Sequence, residues 1–240
     1  MKEVLLRLDN YLVEFSHCES RNKAQTMIKN GLVSVNDKVI KKSSQQVTQD
    51  DKVTVTQHKQ YVSRAAFKLV EFLEEISLDV KNRVALDIGA STGGFTQVLL
   101  EAGVSEVSAV DVGSDQLHKS LREDDRVHVY ESCDIRKFDS DKEFNLVVSD
   151  VAFISLLYIL DDVERLGTKD IILLFKPQFE VGREVKRDKN GVVLDKKAIA
   201  NAMQKFEDAC ALKKWSLVKK SPSTLTGKEG NLEYCYYFTK

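Results

Sequence analysis

The chain has 240 residues, of which 42% are hydrophobic and 30% are charged, and its formal net charge is −1 at pH 7. This composition is typical of a globular protein and excludes a disordered chain, and the length suits one domain of ordinary size with a small module. A net charge near zero argues against indiscriminate binding of polyanions, although a local basic face is enough for a nucleic-acid partner.

The apolar segments and the cysteines indicate in which compartment the protein is expected. The longest apolar stretches, such as residues 151–160, are too short to span a bilayer, and the N-terminal MKEVLLRLDNYL lacks the apolar core of a signal peptide. The cysteines show no C-x-x-C pair and no cluster with histidine; they are Cys18, Cys133, Cys210 and Cys235. We therefore expect a cytoplasmic protein with free thiols, no metal and no membrane contact.

Residues 1–56 predict a small α+β domain. Its predicted elements are two helices at 7–15 and 20–30, followed by short strands at 32–35, 38–40 and 53–55. Ser20 is a candidate N-cap and Gly31 a candidate C′ residue of the second helix. Asn36-Asp37 predicts a hairpin turn. Residues 57–62 lack apolar periodicity and predict a linker.

Residues 63–240 alternate helical and extended patterns. The predicted strands are 84–86, 106–110, 127–130, 145–149, 170–175, 217–220 and 233–239, and the clearest predicted helices are 64–73, 95–100 and 196–211. This alternation predicts an α/β domain with a mostly parallel sheet covered by helices.

The glycine-rich turn GASTGG, residues 89–94, admits two interpretations. Gly89–Gly93 matches G-x-S-x-G, the turn that presents a nucleophilic serine in α/β-hydrolases. In those enzymes the catalytic histidine follows the serine and the acid along the chain. The histidines are His17, His58, His118 and His128. None of them lies late enough in the chain, so the hydrolase interpretation fails.

The alternative is a cofactor loop, in which the three glycines let the backbone approach a nucleotide-like ligand closely. Asp111 ends the next strand, where a carboxylate could hold ribose hydroxyls. The phosphate-binding G-x-G-x-x-G is absent, and Asp87 suits a cationic ligand such as S-adenosylmethionine better than a pyrophosphate. A tight turn that binds no ligand is the other possibility for this segment.

Longer motifs carry a resemblance that covers nearly the whole chain. LDIGASTGGFT and SRAAFKL resemble the cofactor loop and the preceding helix of FtsJ-like methyltransferases. DVAFISL, LLFKPQFEVG and GNLEYCYYF resemble later motifs of the TlyA family, often labelled hemolysin A. The N-terminal RLDNYLVEFSHCESRNKAQTMIKNGLVSVNDKVI is similar to an S4 domain, an RNA-binding module. One departure is Ala152, where the family more often has serine.

The resemblance implies a Rossmann-like class I methyltransferase domain with a seven-stranded sheet, preceded by a small S4 domain. It implies S-adenosylmethionine as cofactor and 2′-O-methylation of a cytidine ribose in ribosomal RNA as the reaction. Short family members that begin near the RLD motif, as this chain does, modify large-subunit RNA, and longer members can also modify the small subunit. A membrane-active hemolysin and a non-catalytic RNA-binding assembly factor are the competing functions.

The resemblance also implies a catalytic set of two lysines and two carboxylates, namely Lys68, Asp150, Lys176 and Glu233. Lys176 follows an apolar strand, and we expect it to lie nearest the 2′-hydroxyl. Asp150 and Glu233 would orient Lys176, and Lys68 would hold the hydroxyl or a neighbouring phosphate. Asp150 also ends an apolar strand, and ligands of open α/β sheets bind at that edge.

Cofactor contacts are expected from the glycine-rich turn and from the ends of the next strands. These residues are Asp87, Gly89, Ser91, Thr92, Gly93, Gly94, Phe95, Asp111, Val112 and Asp134. Asp134 could contact the adenine amino group, or it could be an ordinary loop aspartate. Ser91 and Thr92 are expected either to cap the following helix or to line the cofactor.

Basic residues of the N-terminal domain recur at helical positions and after the hairpin. Those expected to contact RNA phosphates are Arg7, Arg21, Lys23, Lys29, Lys41 and Lys42. Phosphate contacts position RNA without reading its sequence. A basic face that is merely solvated is the alternative.

Overall fold

The structure, a computed structural model, describes residues 5–15, 17–29, 31–55 and 61–240. The chain divides into two units, Met1–Gln60 and Tyr61–Lys240. Residues 57–60 of the predicted linker lie outside the described residues. The predicted limits of the linker, 57 and 62, therefore stay predictions.

The first unit packs two helices against short strands. Its elements are β1 (Leu6–Arg7), α1 (Leu8–Glu14), α2 (Arg21–Lys29), β2 (Val33–Val35), β3 (Lys38–Val39), β4 (Gln46–Val47) and β5 (Val53–Val55). Strands β3, β2 and β5 form one antiparallel sheet, and β1 pairs with β4. Both predicted helices and the predicted strands are confirmed to within one or two residues at each end.

The hairpin between β2 and β3 turns where the sequence predicts it. Asn36 and Asp37 have φ values of 50° and 63°, the left-handed pair that a two-residue hairpin turn requires. Ser20 accepts a hydrogen bond from the Lys23 amide at 3.3 Å, as predicted for an N-cap, and Gly31 follows the helix with φ 76°.

The second unit is built on a seven-stranded sheet. Its strands are β6 (Val84–Ile88), β7 (Glu106–Val110), β8 (Val127–Tyr130), β9 (Phe144–Ser149), β10 (Gly167–Phe175), β11 (Ser216–Pro222) and β12 (Tyr234–Thr239). Its helices are α3 (Ala65–Ile76), α4 (Gly94–Glu101), α5 (Lys119–Arg122), α6 (Leu160–Leu166), α7 (Pro177–Glu180) and α8 (Lys196–Leu212). The sequence did not predict α5, α6 and α7. Such short helices depend on packing rather than on propensity.

The strand order is β11-β12-β10-β9-β6-β7-β8, with β12 antiparallel to both neighbours and the other pairs parallel. This confirms the predicted mostly parallel sheet. Two apolar cores cover its two faces, because successive side chains of a strand point to opposite sides. Ala85 packs in the core with Leu69 of α3, whereas its neighbour Leu86 packs in the core with Phe206 of α8.

Strand register brings the ends of three central strands to one edge of the sheet. Ser149 pairs with Ile88 on one side and with Leu173 on the other. The last residue of β10, Phe175, pairs with Tyr234, so Lys176 and Glu233 come next on adjacent strands. In open α/β sheets this carboxyl edge is where ligands bind.

Candidate functional site

Two cavities open at this edge, of about 450 Å³ and about 240 Å³. The larger contains five of the predicted cofactor residues: Gly89, Ser91, Asp111, Val112 and Asp134. The smaller is lined by the glycine-rich turn together with Lys176. Asp150 and Ala152 line both cavities. The geometry therefore joins a large compartment to a small one, with Asp150 at the junction.

The glycine-rich turn needs glycine at each of its three glycine positions, including Gly93 with φ +94°. Gly89 has φ +81°, and a Cβ there would lie 3.0–3.2 Å from three atoms of Val151. A Cβ on Gly94 would lie 2.1 Å from the Ser63 hydroxyl oxygen, so this residue lets α4 approach the start of α3. The turn is thus fixed by close packing as well as by any ligand.

Ser91 and Thr92 do not cap α4. Gly93 occupies the N-cap position, and no side-chain hydrogen bond caps the helix. Ser91 lines both cavities, and Thr92 lines the smaller one. Of the two roles expected for Ser91 and Thr92, capping is therefore excluded, and lining the site is the one that agrees with the structure. Phe95 also lines the smaller cavity, although its ring is largely buried in the core.

Asp111 forms part of the wall of the larger cavity. One carboxylate oxygen accepts a hydrogen bond from the Ser91 amide at 2.8 Å, and the other accepts one from the Gly113 amide at 2.7 Å. The carboxylate therefore connects the glycine-rich turn to the loop after β7. Val112 lies between these contacts and is exposed.

Glu131 organises the loop that borders the larger cavity, a role that the sequence analysis missed. Its carboxylate accepts from the amides of Asp115, Gln116 and Leu117 at 2.8–2.9 Å and from Arg122 at 2.7 Å. Arg122 and the three amides lower the pKa of Glu131 to about 2. The available signal was a carboxylate directly after a strand, the same signal that indicated Asp111.

Asp134 caps the 3-10 helix at residues 135–137. Its carboxylate accepts from the Arg136 amide at 3.0 Å and from the Arg136 guanidinium, whose Nε lies 2.9 Å away. This contact with Arg136 lowers the pKa of Asp134 to about 2. Asp134 also lines the larger cavity, so a contact with adenine stays a prediction.

Asp87 is fully buried, and it is not among the described residues that line the two cavities. One carboxylate oxygen accepts from the Thr96 hydroxyl at 2.6 Å, and the other has no hydrogen-bond partner within the described part of the chain. Burial raises the pKa of Asp87 to about 7, and the nearby charge of Asp150 adds to the effect. A direct contact with a cationic cofactor stays a prediction.

The predicted catalytic residues form two ion pairs. In the first, Lys176 Nζ lies 2.6 Å from Asp150 Oδ1 and donates to the Asp150 backbone oxygen at 3.2 Å. The side chains of Lys176 and Asp150 are 11% and 15% exposed. Both line the smaller cavity, so this pair is accessible to a ligand.

The second pair is sealed. Lys68 Nζ lies 2.5 Å from Glu233 Oε2, and the two side chains are 10% and 2% exposed. Gln178, which the sequence analysis did not single out, donates to the other Glu233 oxygen at 3.1 Å. A Cβ on Gly227 would lie 2.5 Å from that oxygen, so glycine lets the backbone cover it. Neither Lys68 nor Glu233 is among the described residues that line the two cavities.

Cys235 shows that the two pairs lie near each other. Burial raises the pKa of its thiol to about 12, and the charges of Lys68, Asp150 and Glu233 also act on it. Three of the four predicted residues therefore lie close enough to act electrostatically on one buried thiol. Only the pair of Lys176 and Asp150 faces the space where a substrate could enter.

Phe153 is a third residue, after Glu131 and Gln178, that the sequence analysis did not single out. It lies three residues after Asp150, lines the larger cavity and is 92% exposed. Its φ of +65° is unusual for a bulky residue. The Phe153 and Phe179 ring centroids lie 5.3 Å apart. The signal was an aromatic residue close behind an aspartate that ends a strand.

In the N-terminal unit, one carboxylate gathers two of the predicted RNA-binding residues. Buried Asp9 accepts from Arg7 at 2.9 Å, from Arg21 at 3.1 Å and from Gln25 at 2.8 Å. Arg7, followed by the other contacts, holds the pKa of Asp9 well below its usual range. Both guanidinium groups stay partly exposed.

The predicted lysines of this unit differ in their surroundings. Lys23 forms an exposed ion pair with Glu19 at 3.3 Å, one helical turn away. Lys29, Lys41 and Lys42 are exposed. The structure thus brings Arg7 and Arg21 together around Asp9, and leaves the lysines at the surface.

Two absences bear on the alternatives. Among the described residues, no helix is both long and apolar enough to cross a bilayer. Within the same residues, no three histidine, cysteine or acidic side chains gather as metal ligands would.

Comparisons with known proteins agree with this geometry. A model of the FtsJ-like methyltransferase family matches residues 61–240, and a model of the S4 domain matches residues 6–53. The chain is 45% identical to the 23S rRNA (cytidine-2′-O)-methyltransferase TlyA of Campylobacter jejuni, over 92% of this chain and 94% of that protein. It is 37% identical to the 16S/23S rRNA (cytidine-2′-O)-methyltransferase TlyA of Mycobacterium tuberculosis, over 95% of this chain and 87% of that protein.

A solved structure, described as a hemolysin from Streptococcus thermophilus, superimposes with a TM-score of 0.72 and 31% identity. The match covers all of this chain and 90% of that one. Because the match to the FtsJ-like model spans the whole second unit and the relatives match nearly end to end, the chain belongs to the TlyA family of FtsJ-like methyltransferases that carry an S4 domain.

Proposed function

We propose that this protein transfers a methyl group from S-adenosylmethionine to the 2′-oxygen of a cytidine ribose in ribosomal RNA. The observation that carries the proposal is the pair of Lys176 and Asp150 in the smaller cavity, where it adjoins the larger one. The relatives named as rRNA (cytidine-2′-O)-methyltransferases support the reaction and the substrate.

S-adenosylmethionine fits the larger cavity. At about 450 Å³ the cavity lies within the range of small-molecule sites. Asp111 at the strand end would hold ribose hydroxyls, and Val112 and Ile135 would form an apolar wall for the adenine ring, since all three line this cavity. The bound cofactor supplies an activated methyl group on a sulfonium.

The smaller cavity would hold the target ribose, with its 2′-oxygen near Lys176. Methyl transfer forms an oxygen–carbon bond and breaks a sulfur–carbon bond, and the hydroxyl proton must leave. Lys176 accepts that proton once its own has been released, and Asp150 fixes the position of Nζ through two contacts at 2.6 and 3.2 Å. Lys68 and Glu233 support this arrangement from the interior.

Phe153, at the rim of the larger cavity and next to Ala152, which lines both cavities, would stack on the target base. Aromatic side chains recognise unpaired bases of RNA through their faces, and this ring is almost fully exposed at the cavity rim. The basic side chains around Asp9 and on α2 would contact phosphates of the folded RNA. A ribosomal RNA substrate would also agree with the predicted cytoplasmic location, which is part of the proposal.

The large-subunit RNA is the proposed target. The relative named for 23S rRNA alone is 45% identical, and the one named for both RNAs is 37% identical. The chain also spans more of the first relative, 94% against 87%.

The test is methyl transfer by the purified protein, with labelled S-adenosylmethionine and either 23S or 16S ribosomal RNA, each free and in its subunit. Mass mapping should place the label on a cytidine ribose of 23S RNA. Label on 16S RNA as well would overturn the large-subunit assignment. RNA binding without transfer would favour an assembly factor, and leakage of dye from liposomes would favour the hemolysin.

A further inference from the structure

The two segments that carry Lys176 and Asp150 are joined a second time, several residues beyond the ion pair. Helix α7 begins directly after Lys176 and ends at Glu180. The loop after Asp150 runs through residues 151–155 into a 3-10 helix at Leu156–Tyr158. Glu180 connects these two segments.

The Glu180 carboxylate uses both of its oxygens on that loop. Oε1 accepts from the Leu156 amide at 2.8 Å, and Oε2 accepts from the Ser155 hydroxyl at 2.5 Å. Ser155 also accepts from the Leu157 amide at 3.2 Å, so it caps the 3-10 helix. The end of the loop is therefore fixed from two directions.

The start of the loop is fixed by Lys176, which donates to the Asp150 backbone oxygen at 3.2 Å. Phe153 lies between these two anchors and has a left-handed backbone conformation with φ +65°. A bulky residue keeps such a conformation only when its surroundings determine it. Burial cannot do so here because the side chain is 92% exposed.

Burial of the Glu180 carboxylate has a desolvation cost. Burial raises the pKa of its carboxyl group, while the hydrogen bonds from Ser155 and Leu156 and the charge of Lys205 oppose this effect. A half-buried carboxylate whose two oxygens serve one loop is more than a solvated surface group.

We propose that Glu180 is a positioning residue for methyl transfer: by holding Ser155 and Leu156, it fixes loop 151–155, and with it the direction of Phe153 and the seat of Asp150 against Lys176. The inference rests on the proposed function. Glu180 acts through the loop and does not touch the reacting atoms. Misplacement of reacting groups by about 1 Å is sufficient to slow an enzyme severely.

The experiment compares Glu180→Ala and Glu180→Gln with Glu184→Ala, which removes an exposed glutamate four residues further along the chain. Glu180→Ala should lower kcat/KM for RNA about tenfold or more. Because residues 151–154 of the loop line the larger cavity, the Kd for S-adenosylmethionine should also rise, by a smaller factor than kcat/KM falls. Backbone amides of residues 151–158 should exchange hydrogen faster. Glu180→Gln should recover most of both properties because a carboxamide oxygen can still accept from Leu156.

Wild-type exchange and wild-type kinetics in Glu180→Ala would overturn the inference, and so would an equal effect of Glu184→Ala. If Glu180→Ala does not fold, Ser155→Ala removes one of the two contacts and should show the same changes at smaller size. If the wild type transfers no methyl group to ribosomal RNA, the proposed function fails. The difference in exchange between the Ala and Gln variants then decides by itself whether Glu180 fixes the loop.

Discussion

Both units of the molecule set two basic side chains against largely buried carboxylates, but they use different cations. In the N-terminal unit, Arg7 and Arg21 share Asp9. In the methyltransferase unit, Lys176 pairs with Asp150, and Lys68 pairs with Glu233. Arginine stays charged and presents a planar set of donors, whereas lysine can lose its proton. The difference suits phosphate binding in one unit and proton transfer in the other.

The largest expected effect comes from removing the accessible lysine. Lys176→Ala should lower the single-turnover rate of methyl transfer by roughly 10²–10⁴, the usual range for a general base. Lys176→Arg should fail as well, because a guanidinium cannot accept the hydroxyl proton. Both variants should still bind S-adenosylmethionine, as measured by calorimetry.

The matched control is Lys169→Ala, which removes an exposed lysine from the same strand, β10. It should transfer methyl groups at the wild-type rate. A Lys176→Ala variant within about tenfold of the wild type, well below the general-base range, would move the catalytic role to Asp150 acting through water. An active Lys176→Arg variant would show that the second unit does not need a lysine for proton transfer, and the contrast with the arginines of the first unit would be lost.

Breaking the sealed pair should cost mainly stability. Lys68→Ala leaves Glu233 buried without its cation, and the free energy of unfolding should fall by about 3–5 kcal/mol. Chemical denaturation measures this loss. Lys119→Ala, which removes an exposed pair with Glu123, should change stability by less than about 0.5 kcal/mol. If Lys68→Ala is as stable as Lys119→Ala, the buried pair does not support the site.

The stability of the two units should depend on pH in opposite directions. The pKa of Asp9 is lowered by Arg7, so its stabilising contribution is present above the unfolded pKa of about 4 and is lost as the pH falls below it. The pKa of Asp87 is raised by burial to about 7, so its contribution is present below about pH 4 and is lost as the pH rises through 7.

Hydrogen exchange of each unit from about pH 2 to about pH 8 spans the unfolded and folded pKa ranges of both groups and measures both trends. Asp87→Asn removes the titrating group. It should therefore reduce the loss of stability of the second unit at rising pH, a loss of at most about 4 kcal/mol. The first unit should not respond to this substitution. An unchanged pH profile in Asp87→Asn would show that Asp87 does not titrate over this range.

The smallest effect concerns Arg21, which we propose contacts RNA. Arg21→Ala should weaken RNA binding and reduce the log–log salt slope by about one unit or slightly less, as for one lost phosphate contact. Lys23→Ala should cost less because Glu19 pairs with that lysine alone, whereas Arg7 and Arg21 share the single charge of Asp9. Arg21→Lys should keep most of the affinity, in contrast to Lys176→Arg. Lys52→Ala, an exposed lysine paired with Asp37, is the control. No change in affinity or slope for Arg21→Ala would assign another role to the basic face.

Much of the fold could be predicted from local patterns. The strands at 106–110 and 127–130 match the structure at both ends, because short apolar runs bounded by polar residues are typical of buried strands. Helices α5 and α7, of four residues each, escaped prediction since their sequences are too short to show a period. The hairpin at Asn36-Asp37 was readable from the turn residues alone.

The sequence by itself determined the family, and it predicted a site at the carboxyl edge of the sheet and the types of residue that gather there. Only the tertiary structure decided which of them pair. Lys68 and Glu233 stand 165 residues apart, and the sequence did not indicate that they would form a sealed pair while Lys176 and Asp150 stay accessible. Glu131, Phe153 and Glu180 depend in the same way on contacts between segments. A residue's type limits the contacts that it can make, but the packing of distant segments decides which contacts form and how far water reaches them.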